Sequence, residues 1–366
     1  MWIAALLFAW LSATLASGCM FPFNNARLTN SSLVAEYIAK HQDEDGKFQD
    51  GGGNGWITWM GKVETWVAIW PNVENSNMVA VPYCYGRLLD YIMLYDVVSA
   101  ADKLWVNKLG RGLQNGHQFA GFYHYFNHEH GYFPRCYTFV NNVQRWNPLV
   151  PEGTLVIQYS GQPGSFSIMG YYPISTNPAG AYEITPPDRH KMTIGVDDKE
   201  ADDWELEVAH EMGHTLGLLH EHQRPDRDEY VKFDCSKLRG YESARAQIAS
   251  GNWWFTIDDV CETPRLGMQY GLNWPEPTEF VLNGGADNRQ YMGDAYDHES
   301  IMQYPSRTCA ADRNGGVRGL PLVRWKRGRP QDGSPVDDTN AAIIPYLNGV
   351  SDGDKEAVKF LYPWQG

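Results

Sequence analysis

The sequence predicts an α+β fold, and three observations indicate it. Apolar or alternating segments typical of strands come first, at 79–86 (VAVPYCYG), 105–109 (WVNKL) and 154–161 (TLVIQYSG). Helical periodicity follows at 203–216 and 243–249. The later part of the chain is rich in loops, in keeping with its 36 glycines and 21 prolines. Strands followed by a few helices and then loops favour an α+β domain.

Composition and charge indicate a folded protein and argue against some classes of binding partner. The chain has 366 residues, of which 43% are hydrophobic and 13% aromatic, as is typical of a protein that folds around a core. Its formal net charge of -14 argues against nucleic acids and anionic membrane surfaces, because both require a basic face.

The N-terminal part differs from the rest. Residues 1–17 are apolar and end in small residues, which is typical of a secretory signal peptide; a buried N-terminal helix is the alternative. Residues 18–65 combine a possible helix with an acidic, glycine-rich run, and we interpret them as a pro-segment or linker. The main domain is expected at 66–366. No later stretch is apolar enough to span a membrane, so we expect a secreted, extracellular protein without a membrane anchor once the signal is removed.

Six cysteines allow 15 connectivities, and the sequence does not decide among them. Their spacing gives two hints. Cys235 and Cys261 bracket one segment and would close it locally, whereas Cys84, Cys136 and Cys309 would tie the start of the main domain to its end.

A candidate metal centre lies in DDWELEVAHEMGHTLGLLHEH, residues 202–222. The pattern predicts a helix over 203–216 that ends at Gly217. His210 and His214 lie one turn apart on one helix face, the separation at which two imidazoles reach one zinc ion. Gly217 lacks a Cβ, so it can turn the chain and bring His220 in as the third ligand.

Three imidazoles leave a coordination position for a water molecule, whose pKa zinc lowers towards neutrality. Glu211 follows the first histidine and is placed to act as general base on that water and later as general acid. The alternatives are surface histidines without a metal, or a structural zinc site. A structural site normally has four protein ligands and gives no reason for a carboxylate beside the first histidine.

These residues carry a family resemblance. HEMGHTLGLLHEHQRPDRDEYV (210–231) resembles the zinc signature of the astacin family of metzincin endopeptidases, and YDHESIMQYPS (296–306) resembles its Met-turn. The resemblance implies that Met302 lies beneath the zinc. It also implies that Tyr304 can join the metal as a further ligand and that it hydrogen-bonds the tetrahedral intermediate.

The resemblance also implies an architecture. A zincin, metzincin-like fold has an N-terminal lobe with a twisted, mostly antiparallel or mixed sheet and the active-site helix. Its C-terminal lobe is irregular and loop-rich, and a cleft separates the two. Segments 70–83 and 351–363 resemble the start and the closing helix of the family's catalytic domain. Segments 87–153 and 232–290 match nothing in the family and are interpreted as insertions, either substrate-binding loops or surface decoration.

Some positions depart from the family pattern. Gln303 and His298 replace a histidine and an aromatic residue near the Met-turn. In the family, Glu221 anchors the N-terminus of the mature enzyme and an aspartate of the pro-segment blocks the water site. Asp50 is a candidate for that zymogen switch, and an acidic linker is the alternative.

Two further groups of residues are more simply explained as surface features. The histidines in HYFNHEHGY could form a second metal site, but histidines that face solvent are more common. The basic run RWKRGR (324–329) could line a substrate pocket, but a solvated loop is the simpler explanation.

We therefore expect a secreted zinc-dependent endopeptidase that is made as a precursor, is a monomer, and cleaves proteins or peptides. We expect one Zn²⁺ per chain, held by His210, His214, His220 and, in one state, Tyr304. Glu211 and Tyr304 are the expected catalytic residues. The alternatives are a secreted zinc-bound binding protein without turnover and a different metzincin-type hydrolase.

Overall fold

The computed structural model describes residues 57–59, 69–74, 76–162, 164–171, 186–195, 203–282, 290–293, 295–346 and 348–364. The helices are α1 (Leu88–Leu109), α2 (Gly112–Asn115), α3 (Asp203–Leu216), α4 (Tyr241–Gly251), α5 (Ile257–Glu262), α6 (Pro264–Gln269) and α7 (Asp352–Leu361). The strands are β1 (Ile57–Trp59), β2 (Val79–Tyr85), β3 (Phe119–His124), β4 (Tyr137–Val140), β5 (Val143–Trp146), β6 (Leu155–Tyr159), β7 (Phe166–Ser167), β8 (Lys191–Ile194), β9 (Val231–Phe233), β10 (Gln290–Met292), β11 (Leu322–Trp325) and β12 (Ala341–Ala342). Short 3-10 helices lie at Glu221–Gln223, Arg227–Glu229, Cys235–Lys237 and Glu276–Phe280.

A five-stranded mixed sheet with the order β3-β2-β6-β8-β7 forms the first layer of the fold. The pairs β2/β3, β2/β6 and β6/β8 are parallel, and β7 runs antiparallel to β8 at the edge. The α+β class and the mixed sheet predicted from the sequence are confirmed, and parallel pairing predominates within this sheet. For β2/β3 the reason is α1, which crosses over between these two strands and thereby returns the chain in the same direction.

Helix α1 corrects one prediction. The segment 105–109, predicted as a strand, is the last part of α1. Leu94, Val98, Ala101 and Trp105 recur at helical spacing and are fully buried against α3 and the sheet. Within 87–153, α1 and β3 are therefore neither substrate-binding loops nor surface decoration, since both belong to the central core. A window of five apolar and polar residues does not distinguish a strand from the end of a helix.

A second core lies after α3. It is formed by β9, α4, α5 and the segment up to Phe280, and its buried residues include Val231, Ile248, Val260 and Trp274. The helix predicted at 243–249 is confirmed as part of α4. Much of 232–290 is thus a packed layer of the domain and not surface decoration, because its apolar side chains pack against one another and are buried from water.

The path of the chain determines which cysteines form disulfides. The bridge Cys235–Cys261 closes its segment locally as expected. Cys84 pairs with Cys136, so the hint that these two cysteines connect the start of the domain to its end is wrong. They pair because the segment after β3 returns alongside β2, where Cys136 N donates to Tyr85 O at 3.0 Å. Cys309 is also disulfide-bonded.

The features predicted for the N-terminal part, namely the signal peptide at 1–17, the helix in the following segment and Asp50, lie outside the described residues. Of the predicted pro-segment or linker, residues 57–59 are described. They form β1, which pairs antiparallel with β10, from Ile57 opposite Met292 to Trp59 opposite Gln290. Among the helices described here, none is both long and apolar enough to cross a bilayer.

A close approach between α3 and the segment around Met302 depends on a glycine. Gly213 faces the side chain of Met302, and a Cβ at this glycine would overlap Met302 Sδ and lie 3.3 Å from Trp105 Cζ2. Met302 is itself buried in the same cluster as α3. The absence of a side chain at Gly213 therefore lets the Met302 segment approach the helix.

We predict that Gly213→Ala lowers the free energy of unfolding by about 1–3 kcal/mol, because Met302 and Trp105 have to move away from the added methyl group. The measurement is chemical denaturation of the metal-free protein. Gly316→Ala is the matched control, since a Cβ there meets nothing within 4 Å. Equal stability of the two variants would contradict the close approach at Gly213.

Candidate metal centre

Helix α3 has the bounds predicted from the sequence, Asp203–Leu216. Val208, Met212 and Leu216 are fully buried in the core, as their spacing predicts. The carbonyl groups at the end of the helix have buried partners: Trp70 Nε1 donates to Thr215 O at 2.8 Å, and Tyr362 OH donates to Leu216 O at 2.9 Å. The helix therefore ends in fixed contacts, which hold its histidine face in one orientation.

Gly217 turns the chain after α3. Its φ is 106°, a value that side-chain-bearing residues rarely adopt. Gly217 N donates to His214 O at 2.9 Å, and Leu218 N donates to Gly213 O at 3.0 Å, so the backbone closes the helix end. The chain then returns and brings His220 to the two helix histidines, as the sequence predicts.

The three histidines converge. The distance from His220 Nε2 to His210 Nε2 is 3.1 Å, and the distance from His220 Nε2 to His214 Nε2 is also 3.1 Å. The other ring nitrogen of each histidine contacts an oxygen acceptor. His210 Nδ1 lies 2.7 Å from Ile301 O, His214 Nδ1 lies 2.8 Å from Leu218 O, and His220 Nδ1 lies 3.1 Å from Gln223 Oε1.

These contacts fix the tautomer. A carbonyl oxygen only accepts, so Nδ1 of each ring carries the hydrogen and Nε2 presents a lone pair. Gln223 is oriented in the same way, because its Nε2 donates to Glu279 O at 3.0 Å and its Oε1 therefore faces His220. Three lone pairs directed at one another repel unless a cation lies between them. Burial also lowers the pKa of His214 and of His220 well below the ordinary value, which keeps both imidazoles neutral.

The geometry fits zinc. Tetrahedral coordination with zinc–nitrogen distances of about 2.1 Å places two ligand nitrogens about 3.4 Å apart, close to the separations found here. Within the described residues, His210, His214 and His220 form a group of side chains able to hold one ion. Each residue offers one ligand atom, and these atoms lie within 4.8 Å of one another.

Glu211 and Tyr304, the predicted catalytic residues, both lie next to this group. Glu211 follows His210 on α3, and only 5% of it is exposed. The ring centroid of Tyr304 lies 4.3 Å from that of His220 and 5.9 Å from that of His210. The Tyr304 hydroxyl donates to Glu279 Oε2 at 2.9 Å. The structure thus brings all five residues together, and coordination by Tyr304 stays a prediction.

Burial governs the ionisation of this neighbourhood. It raises the pKa of Tyr304 well above its ordinary value, and the negative charge of Glu279 adds to this effect. Burial also raises the pKa of Glu279 to about 7, although its hydrogen bond with Tyr304 acts in the opposite direction.

The Met-turn is bonded on both sides. Glu221 N, the amide after His220, donates to Met302 O at 3.1 Å. On the other side, Asp354 accepts from Ser300 Oγ at 2.6 Å and from Ile301 N at 2.8 Å. Because Ile301 O in turn accepts from His210, a continuous chain of contacts joins α7 to a candidate metal ligand.

Sequence reasoning missed Asp354, Gln223 and Glu279. A sequence pattern was available for Asp354, because Ser351 and Asp354 form a capping box at the start of α7. In the structure, Ser351 Oγ accepts from Asp354 N at 2.9 Å. No sequence pattern indicated Gln223 or Glu279, since the contact between them joins distant segments of the chain.

The remaining candidates lie in other surroundings. Glu221 is buried, pairs with Arg224 at 3.0 Å and accepts from Asp297 N at 2.8 Å. Gln303 accepts from the Tyr296 hydroxyl, which gives the departure from the family pattern a local partner. The ring of His124 stacks on Phe133 at 4.5 Å, within an aromatic cluster. Of the basic run, Arg324 belongs to β11 and is half-buried.

Comparison with known proteins agrees with the resemblance. Residues 167–250 match the family model described as Astacin, a peptidase family. The chain is 46% identical over 152 residues to Nematocyst expressed protein 6 of Nematostella vectensis, covering 41% of this chain and 40% of that protein. It is 25% identical over 130 residues to the low choriolytic enzyme of Oryzias latipes, covering 36% of this chain and 34% of that protein.

Among solved structures, a match to High choriolytic enzyme 1, a hatching enzyme zinc-protease from Oryzias latipes, covers 80% of this chain and 94% of that one, with a TM-score of 0.39 and 14% sequence identity. The matches span 40% or less of the two curated relatives named above. The astacin resemblance is confirmed over 167–250, the segment that holds α3 and all three histidines.

We predict that Asp354→Ala weakens zinc binding about 10- to 100-fold, because Ile301 O then orients His210 less firmly. The measurement is competition for zinc with a chelator of known affinity. The matched control is Asp352→Ala in the first turn of the same helix, where the side chain is 72% exposed and pairs with Lys108. A zinc affinity equal to that of the control would contradict the proposed chain of contacts.

Proposed function

We propose that this protein is a secreted zinc-dependent endopeptidase of the astacin type, with one zinc ion per chain. The observation that carries the proposal is the convergence of three imidazole Nε2 atoms, each oriented by an oxygen acceptor on its Nδ1. The astacin-family match over the same segment supports it. His210, His214 and His220 would hold the metal.

A bound zinc ion would polarise both a water molecule and the carbonyl group of the peptide bond to be cleaved. The side chains of the protein would manage the protons. Glu211 adjoins the first proposed ligand on α3, and its side chain is buried. Its carboxylate would accept a proton from that water and deliver it to the leaving amine.

Tyr304 would act on the substrate side. Its ring borders His220 and His210, so its hydroxyl belongs to the same small site. A phenolic O–H there would donate a hydrogen bond to the oxygen on which negative charge develops during attack at the carbonyl. In the alternative state suggested by the family resemblance, the same oxygen would bind the metal.

Substrates are proposed to be proteins or peptides, and the protein is proposed to act as a monomer. Export is supported by the disulfides Cys84–Cys136 and Cys235–Cys261, since such bonds persist in oxidising compartments. The division into a signal peptide at 1–17, a pro-segment or linker at 18–65 and a catalytic domain at 66–366 is part of the proposal. N-terminal sequencing of the secreted, active protein tests it.

We predict that Glu211→Gln keeps zinc binding and lowers cleavage of casein about 1,000-fold, because an amide does not accept the proton of the attacking water. Zinc content by elemental analysis and casein cleavage by gel electrophoresis are the two measurements. A binding protein without turnover would show no chelator-sensitive cleavage in the wild type.

The matched control is Glu205→Gln on the exposed side of the same helix, which removes an equal charge and is expected to leave cleavage unchanged. Near-full activity of the Glu211 variant would reject the proposed role of this carboxylate.

A further inference from the structure

Glu279 is a buried carboxylate at the metal centre that the mechanism above does not use. It lies in the 3-10 helix Glu276–Phe280, and only 1% of it is exposed. Removing a carboxylate from water is costly unless it gains partners. Its position therefore depends on the groups it contacts.

Both the backbone and the side chain of Glu279 contact the centre. Glu279 O lies 2.8 Å from His222 Nε2 and accepts from Gln223 Nε2 at 3.0 Å. Its Oε2 accepts from Tyr304 OH at 2.9 Å, whereas the nearby Thr278 hydroxyl donates to Pro275 O at 2.6 Å. The two backbone contacts hold the residue in place, so the carboxylate is a fixed acceptor for the tyrosine hydroxyl.

Aromatic rings border the ring of Tyr304. It stacks on the ring of His222, with centroids 4.4 Å apart and planes 26° apart, and it borders His220 at 4.3 Å. The ring of Phe280 meets it edge-on at 6.1 Å. Because the phenolic oxygen moves only together with its ring, its hydrogen bond to Glu279 has to break before the oxygen approaches another partner.

We propose that Glu279 is a positioning residue that holds the Tyr304 hydroxyl by a hydrogen bond and thereby competes with the metal ion for the phenolic oxygen. The inference rests on the proposed function, because it concerns the orientation of Tyr304 at that centre. A hydroxyl held by Glu279 lies ready to turn and donate to a substrate oxygen. To bind the metal, the same oxygen has to leave the carboxylate.

Two variants remove the acceptor to different degrees. Glu279→Gln keeps the shape and offers a neutral oxygen, whereas Glu279→Met keeps the volume and offers no oxygen acceptor. The matched control is Glu276→Gln in the same 3-10 helix. Glu276 is 8% exposed and pairs with Arg239 at 3.3 Å.

The experiment uses the full chain loaded with copper(II), in which a metal-bound phenolate gives a charge-transfer absorption in the visible range. We expect the ratio of metal-bound to free phenol to rise about tenfold in Glu279→Met, the factor that corresponds to one hydrogen bond to a charged acceptor, and less in Glu279→Gln. Tyr304→Phe should abolish the band in every background. With zinc, kcat of Glu279→Met should fall about tenfold while KM stays within about twofold, because the substrate oxygen loses its donor.

The inference is overturned if the band in both Glu279 variants equals that of Glu276→Gln, or if it weakens. It is also overturned if no tyrosine-dependent band develops in any variant. The proposed function is tested separately by the Glu211→Gln variant in zinc-loaded protein, so the two can fail independently. Thermal unfolding of each variant shows whether a change in the band accompanies a loss of the fold.

Discussion

The lone pairs of three imidazoles repel one another, and contacts from several segments of the fold hold these rings together against that repulsion. His210, His214 and His220 present Nε2 atoms to one point, and each is held there by an acceptor on the far side of its ring. Those acceptors come from three places, namely the Met-turn, the turn after α3 and the 3-10 helix that follows. An arrangement that is unfavourable without a cation is thus maintained by the rest of the fold, which is the condition for tight and specific metal binding.

The large sheet and α1 serve this arrangement. Parallel pairing of β2 with β3 requires a crossover, and α1 supplies it while burying its apolar face against α3. Trp105 Nε1 of α1 donates to Ala209 O, the carbonyl just before the first ligand, at 2.9 Å. Trp70 and Tyr362 bond the last carbonyls of the same helix. The histidine-bearing helix is therefore held along its length by elements from both ends of the domain.

The sequence predicted what is local. The bounds of α3, the turn at Gly217 and the histidine spacing depend on residues within one or two helical turns of one another, and the structure agrees with all of them. Strands β2 and β6 were visible as apolar runs. WVNKL was assigned to a strand because five residues contain too little periodicity. Gln223 and Glu279 were not found, since an isolated polar residue gives no indication of which distant backbone it will contact. The pairing of Cys84 with Cys136 likewise depends on the path of the chain after β3.

The contact between Asp354 and the Met-turn has a consequence for how the protein assembles. His210 lies early in the second half of the chain, whereas the residue that orients its partner Ile301 lies in the last helix. For contacts between segments this far apart along the chain, a long loop has to close before any contact compensates for the lost entropy. During synthesis, the segment that carries the three histidines therefore leaves the ribosome well before Ile301 and Asp354. The contacts behind His210 are complete only once α7 has docked, whereas His214 and His220 find their acceptors within a few residues of themselves.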